Sequence, residues 1–154
     1  MQTFLPYADF AQSAAVLDRA RLGKQRVEAL QVLRAVSIPT YGWRNHPAAK
    51  MWRGYVPLLA EYALAMTDEW LARGYEDSVR EQLVEFVGGE LHRPSWLGDE
   101  AFHLSHRSNL VRKDPEFYRP LFPDVPDDLP YVWPGEDLTR PSGDPSPRSA
   151  ASLP

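Results

Sequence analysis

The sequence predicts an all-α fold, on three observations. Apolar residues recur every three to four positions in several separate windows. Helix-opening residues such as Asp and Pro, and helix-stopping Gly, bound those windows. No pair of alternating segments reads as a strand hairpin, and no internal repeat is present. The expected architecture is a compact single-domain bundle of about five helices with an irregular, proline-rich C-terminal tail.

Taken in order, Asp9 or Ser13 opens a short first helix that includes Phe10, Ala14 and Leu17. A long basic helix runs from about Asp18 to Ala35 with Leu22, Ala29, Leu30 and Leu33 as its apolar arc. Residues 37–45 form a loop by their Pro and Gly, and Pro47 suits the first turn of the helix that follows. From Tyr55 the positions Leu59, Tyr62, Met66 and Trp70 give an amphipathic helix ending at Arg73, with Gly74 just past its end. Asp77 caps a helix whose core side is Val79, Leu83, Phe86 and Val87, and Gly88-Gly89 stops it. Asp99 or Glu100 starts a helix with Leu104, Leu110 and Val111 inward, and Pro115 and Pro120 bracket a last turn around Phe117 and Tyr118. Beyond Leu121 the periodicity ends. The division expected is a helical domain over 1–121 and an acidic tail over 122–154, draped on the domain to about 134 through Tyr131 and Trp133 and disordered after that.

The 154 residues include no cysteine, which excludes disulfides and cysteine-based metal sites. No apolar run is long enough to span a membrane and no basic segment precedes an apolar one, so the expectation is a cytoplasmic protein without membrane contact. The net charge of −4 hides a strong segregation. Residues 18–53 carry a net +6, residues 54–100 a net −7, and residues 101–121 a net +2. Local potential steers a phosphate chain, so a polarised domain with one basic face fits a double-stranded DNA partner better than the total charge suggests. Phosphate-loop, dinucleotide-binding and hydrolase-elbow motifs are absent, and no cofactor is expected.

The candidate chemistry centres on the basic helix. Glu28 lies within about 20° of Arg21 on the helical wheel and shares its arc with Lys24, Gln25 and Val32. A carboxylate among cations suits acid/base work beside a polyanion; Lys24–Glu28 salt bridging on a solvated face is the plain alternative. Arg26 falls inside the apolar arc and needs a phosphate or an acid of a neighbouring helix. Tyr41 and Trp43 are loop aromatics suited to stacking on a base. His106 and Arg107, with Lys113 further along, suit phosphate contact. His103 and His106 stand three apart with Asp99 four before His103, a spacing that can seat a metal, but Asp99 is better explained as a cap and no metal is assigned.

Four stretches in order, LDRARLGKQRVEAL, GWRNHPAAKMWRGY, EWLARGY and HLSHRSNLVRKDPEFYRPLF, resemble the pyrimidine-dimer DNA glycosylase family, and more closely a bacterial branch of it, over about residues 1–121. The resemblance implies an all-α fold and a DNA N-glycosylase with lyase activity on damaged or modified pyrimidines. It implies that the N-terminal α-amine attacks the sugar C1′ and that a glutamate on the first long helix, here Glu28, moves protons. Arg21 and Arg26, with Lys24 or Gln25 nearby, would hold the flanking phosphates, and the helix carrying His106, Arg107 and Lys113 would grip the backbone. Arg44, in the loop before Pro47, is a further phosphate-contact candidate. The phage-type members expose a threonine amine after losing methionine. Here Gln2 blocks that removal, so the amine belongs to Met1 unless processing exposes Thr3. The register also differs, because the expected Arg-Glu pair reads Arg26-Val27-Glu28. A monomer is expected. Two other functions stay open: an N-glycosidase of the same fold acting on a free nucleoside or nucleotide, and a DNA-binding module without catalysis.

Overall fold

The computed structural model describes residues 1–134. The disorder expected after about 134 lies outside the described residues. Within them the chain forms α1 (Phe10–Val16), α2 (Arg19–Ser37), α3 (Pro47–Trp52), α4 (Val56–Ala72), a 3₁₀ helix (Arg80–Phe86), α5 (Glu100–Lys113) and α6 (Pro115–Tyr118), with no strand among them. The all-α expectation is met. Among the described residues no helix is long and apolar enough to cross a membrane.

Capping accounts for most of the boundaries. The Asp9 carboxylate accepts from the Gln12 amide to open α1, and Asp18 does the same for Arg21 in α2. His46 caps α3 through Nδ1, which accepts from the Ala48 amide at 3.0 Å, with Pro47 in the first turn. Gly74, at φ 92°, takes the left-handed turn that ends α4. The stretch after Asp77 departs from expectation. It winds as a 3₁₀ helix, and Val87, read as a core residue, is 46% exposed. The Asp77 carboxylate accepts from the Arg80 amide and pairs with Arg26, and Gly88 leaves the helix two residues after it closes, so only a short tight turn forms.

The core is built on α2 packed along α4, with α1 across α4. Leu22, Ala29, Leu30 and Leu33 of α2 are buried with Leu59, Tyr62, Ala63 and Met66 of α4, and Trp52 of α3 is fully buried with them. The mid-helix Gly23 has a spatial reason. A Cβ there would meet Trp70 Cζ3 at 2.9 Å, so only glycine lets this ring lie on α2. The Arg26 guanidinium also lies over this ring, 4.4 Å from a ring centroid.

The interior face of α5 is polar. His103, Ser105, His106, Ser108 and Asn109 are buried, whereas Leu104, expected inward, is only partly so. These polar groups serve irregular backbone on two sides. Ser108 Oγ accepts from Leu129 N at 3.0 Å, Ser105 Oγ accepts from Val132 N at 3.2 Å, and Asn109 Nδ2 donates to Leu129 O at 3.0 Å. The segment around 129–133 therefore lies along α5 without regular structure of its own. On the other side, α5 holds the first residues of the chain.

Candidate active site

Residues 2–6 form a buried, non-helical segment, and its backbone polar groups are met by side chains. Gln25 Oε1 accepts from the Phe4 amide at 2.6 Å, and Gln25 Nε2 donates to Gln2 O at 2.8 Å. The Tyr62 hydroxyl donates to Phe4 O at 2.8 Å. His106 Nδ1 accepts from the Leu5 amide at 2.8 Å, while His103 Nδ1 lies 2.8 Å from Leu5 O. Because His103 Nε2 accepts from Gly98 N at 2.9 Å, the proton of that ring sits on Nδ1 and is given to Leu5 O. Trp52 Nε1 donates to Thr3 Oγ1 at 2.9 Å. Three helices and α3 thus fix the start of the chain.

That clamp delivers Met1 to the wall of a cavity of about 450 Å³. Glu28, Arg21, Lys24, Gln25 and Ala20 line it from α2, Lys113 from the end of α5, and Tyr131 from the draped segment, with Gln2 and Phe4 of the first segment. The Glu28 carboxylate accepts from Gln25 Nε2 at 2.9 Å. Arg21 is anchored through Nη1 to Asp18 at 3.2 Å. Asp18 is in turn bonded to the Tyr118 hydroxyl; burial pushes its carboxyl up, but the bonds from Tyr118 and Arg21 outweigh this and leave it below the usual range. Burial raises the Tyr131 hydroxyl, partly offset by the Gln2 side chain.

The structure therefore brings Met1, Glu28, Arg21, Lys24, Gln25 and Lys113 together. Other candidates are placed elsewhere. His106 is 0% exposed, where no phosphate reaches it; burial and then neighbouring His103 drive its pKa down to about 3. Arg107 donates to Pro6 O at 2.7 Å, pairs with Glu100 and lies over the Tyr7 ring, so it braces the N-terminal segment. Arg26 is committed to Asp77 and Trp70, the neighbouring-acid alternative. Gln25, within the cavity group, is 1% exposed, with its amide bonded to the clamp and to Glu28. Arg44 is exposed on its loop and does not line the cavity. Neither do Tyr41 and Trp43. The half-exposed Trp43 meets His46 edge-on at 5.7 Å, and rings of His46, Trp133 and Tyr131 continue that contact to the cavity. No group of three or more potential metal ligands occurs among the described residues.

Sequence reasoning did not find Tyr131 or Gln2. Tyr131 was legible as a packing aromatic, but a proline-rich stretch carries no periodicity that assigns it to a site. Gln2 had a signal only through the N-terminal residue beside it.

The family model described as Pyrimidine dimer DNA glycosylase matches residues 1–82, which hold the clamp's Gln25 and Tyr62 as well as Met1 and Glu28. No curated protein and no solved structure matches the chain. With more than half of its 154 residues covered by that match, the chain belongs to the pyrimidine dimer DNA glycosylase family.

Proposed function

We propose that the protein is a DNA N-glycosylase with lyase activity, acting on a damaged or modified pyrimidine through the Met1 amine and Glu28. The observation that carries this reading is one cavity lined by Met1 and Glu28 together with three cations, Arg21, Lys24 and Lys113. Its volume of about 450 Å³ lies within the range, roughly 300–1,000 Å³, of pockets that hold small ligands and so suits one extrahelical nucleotide.

An uncharged α-amine carries a free lone pair and is a nucleophile. In the proposed reaction its lone pair attacks C1′ while the C1′–base bond breaks. The base leaves with the bonding pair and takes a proton from solvent. The nitrogen then gives a proton to the Glu28 carboxylate, which passes it to the sugar ring oxygen as the ring opens, leaving a C1′=N Schiff base. Glu28, again a carboxylate, removes a C2′ proton; that pair forms the C2′=C3′ bond and the 3′ phosphate departs. Hydrolysis of the Schiff base returns the amine. Arg21, Lys24 and Lys113 hold the flanking phosphates and offset the charge of the departing one. Tyr131 offers a ring against which the displaced base stacks. Thr3, fully buried with its hydroxyl bonded to Trp52, is poorly placed to supply the amine, which supports Met1.

Borohydride reduction in the presence of ultraviolet-irradiated duplex tests the proposal. The expected outcome is a covalent protein–DNA adduct, lost when the α-amine is acetylated. Glu28→Gln should lower turnover by at least about 10²-fold with DNA affinity within a few-fold. Salt-sensitive DNA binding without any adduct would instead mark a binding module. Intact mass of the mature chain shows which residue carries the free amine.

A further inference from the structure

Gln25 sits at the one point where the start of the chain and Glu28 are tied to the same group. A carboxamide offers two acceptor positions and two hydrogens, and in Gln25 both ends are engaged. Oε1 accepts from the Phe4 amide at 2.6 Å and lies 2.7 Å from the Tyr62 hydroxyl, whose hydrogen it shares with Phe4 O. Nε2 donates to Gln2 O at 2.8 Å and to Glu28 Oε1 at 2.9 Å. The neighbours dictate this orientation. The Phe4 amide can only donate, and the Gln2 carbonyl and the Glu28 carboxylate can only accept, so a flipped amide would leave three groups facing their own kind. Burial, and then the charge of Glu28, hold the Tyr62 hydroxyl well above the usual tyrosine range, so it remains protonated.

An amide needed only to satisfy residues 2–4 has no reason to spend a hydrogen on Glu28. We infer that Gln25 is a positioning residue, which fixes the separation and orientation of the Glu28 carboxylate relative to the first residue of the chain. The inference rests on the proposed Met1–Glu28 chemistry. In the sequence Gln25 reads as a phosphate contact; in the structure it is 1% exposed and both ends of its amide are bonded to protein groups. One Glu28 oxygen is held by Gln25, which leaves the carboxylate's remaining lone pairs for the cavity. A displacement of about 1 Å between reacting groups costs on the order of 10²-fold in rate, so the bond's value lies in geometry rather than in net stability. The ionisable groups around Glu28 are Arg21 and Lys24 of α2, Tyr62 of α4, Lys113 of α5, Tyr131, and the Met1 amine.

Gln25→Glu is the discriminating variant. It keeps the size and the Oε1 acceptor but sets a second carboxyl oxygen where Nε2 now meets Glu28, so the two carboxyl groups share a proton. In single-turnover borohydride trapping on ultraviolet-irradiated duplex, the full-length Q25E protein should react at least about tenfold more slowly at neutral pH. The acid limb of its pH–rate profile should move up by about one unit or more, with DNA Kd within about threefold of wild type. Tyr62→Phe keeps the ring in the core and removes one donor to the hub; it should lower the trapping rate several-fold at unchanged Kd. A wild-type adduct together with an unshifted Q25E profile overturns the positioning role alone, as does a Q25E rate loss matched by an equal loss of DNA affinity. Wild-type protein that forms no adduct overturns the amine–Glu28 reading, and the positioning role with it. If Q25E does not fold, Y62F decides: a wild-type trapping rate overturns the role.

Discussion

His106 holds the Leu5 amide only while its Nδ1 carries no proton. Burial first, and His103 second, bring its folded pKa to about 3, against about 6.5 in an unfolded chain. Between those values the unfolded chain binds a proton that the folded one refuses, so stability rises with pH across the window. The contribution is complete above about pH 6.5 and is lost progressively as pH falls toward 3. His103, also lowered by burial, acts in the same direction. The urea midpoint should therefore drop between pH 7 and pH 5, and His106→Gln should flatten that drop while lowering the midpoint at pH 7. An unaltered slope would assign the acid sensitivity to other groups. This residue also shows where sequence reading stops. His106 and Arg107 sit beside serines and cations in a stretch that looks solvated, because the feature that draws them inward is the unpaired backbone of residues 5 and 6, about a hundred positions away. Glu28 was legible because part of its setting, Arg21, Lys24 and Gln25, lies within about two turns of the same helix, whereas Lys113 and Tyr131 reach it from far along the chain.

At the scale of elements, α2 presents different chemistry on its two sides. One side turns Arg21, Lys24 and Glu28 to the cavity, and the other seats Trp70 against Gly23 with Arg26 over the ring. In an exposed helix, Gly→Ala gains roughly 1 kcal/mol of propensity. At position 23 the added methyl would meet two ring atoms at 2.9 and 3.0 Å, so Gly23→Ala should instead lower stability by about 1–3 kcal/mol, read as a fall in Tm. A rise in Tm would show that Trp70 yields readily. The helices with apolar periodicity, α2 and α4, and those opened by Asp or Pro, were readable because local spacing and caps set them. The 3₁₀ turn after Asp77 and the polar interior face of α5 were not, since both are decided by groups brought from elsewhere: Arg26 in the first case, and the first residues and residues 129–132 in the second.

Across the whole molecule, segregation of charge matters more than the total of −4. The fold gathers Arg21, Lys24 and Lys113 at one opening, although Lys113 is some ninety positions from the other two. If these three meet DNA phosphates, Lys24→Ala and Lys113→Ala should each reduce the slope of log Kd against log salt by about one. Arg26→Leu, which removes a cation already paired with Asp77, should leave the slope unchanged while lowering stability. An equal change in slope for Arg26→Leu would place DNA on the opposite side of α2. The buried opening segment has one further consequence, for the order of events during synthesis. Residues 2–5 leave the ribosome about a hundred residues ahead of His103 and His106, the side chains that grip Leu5. If the Met1 amine is the nucleophile, translation makes it long before the place where it belongs, and a nascent chain stalled short of α5 should form no adduct with damaged DNA.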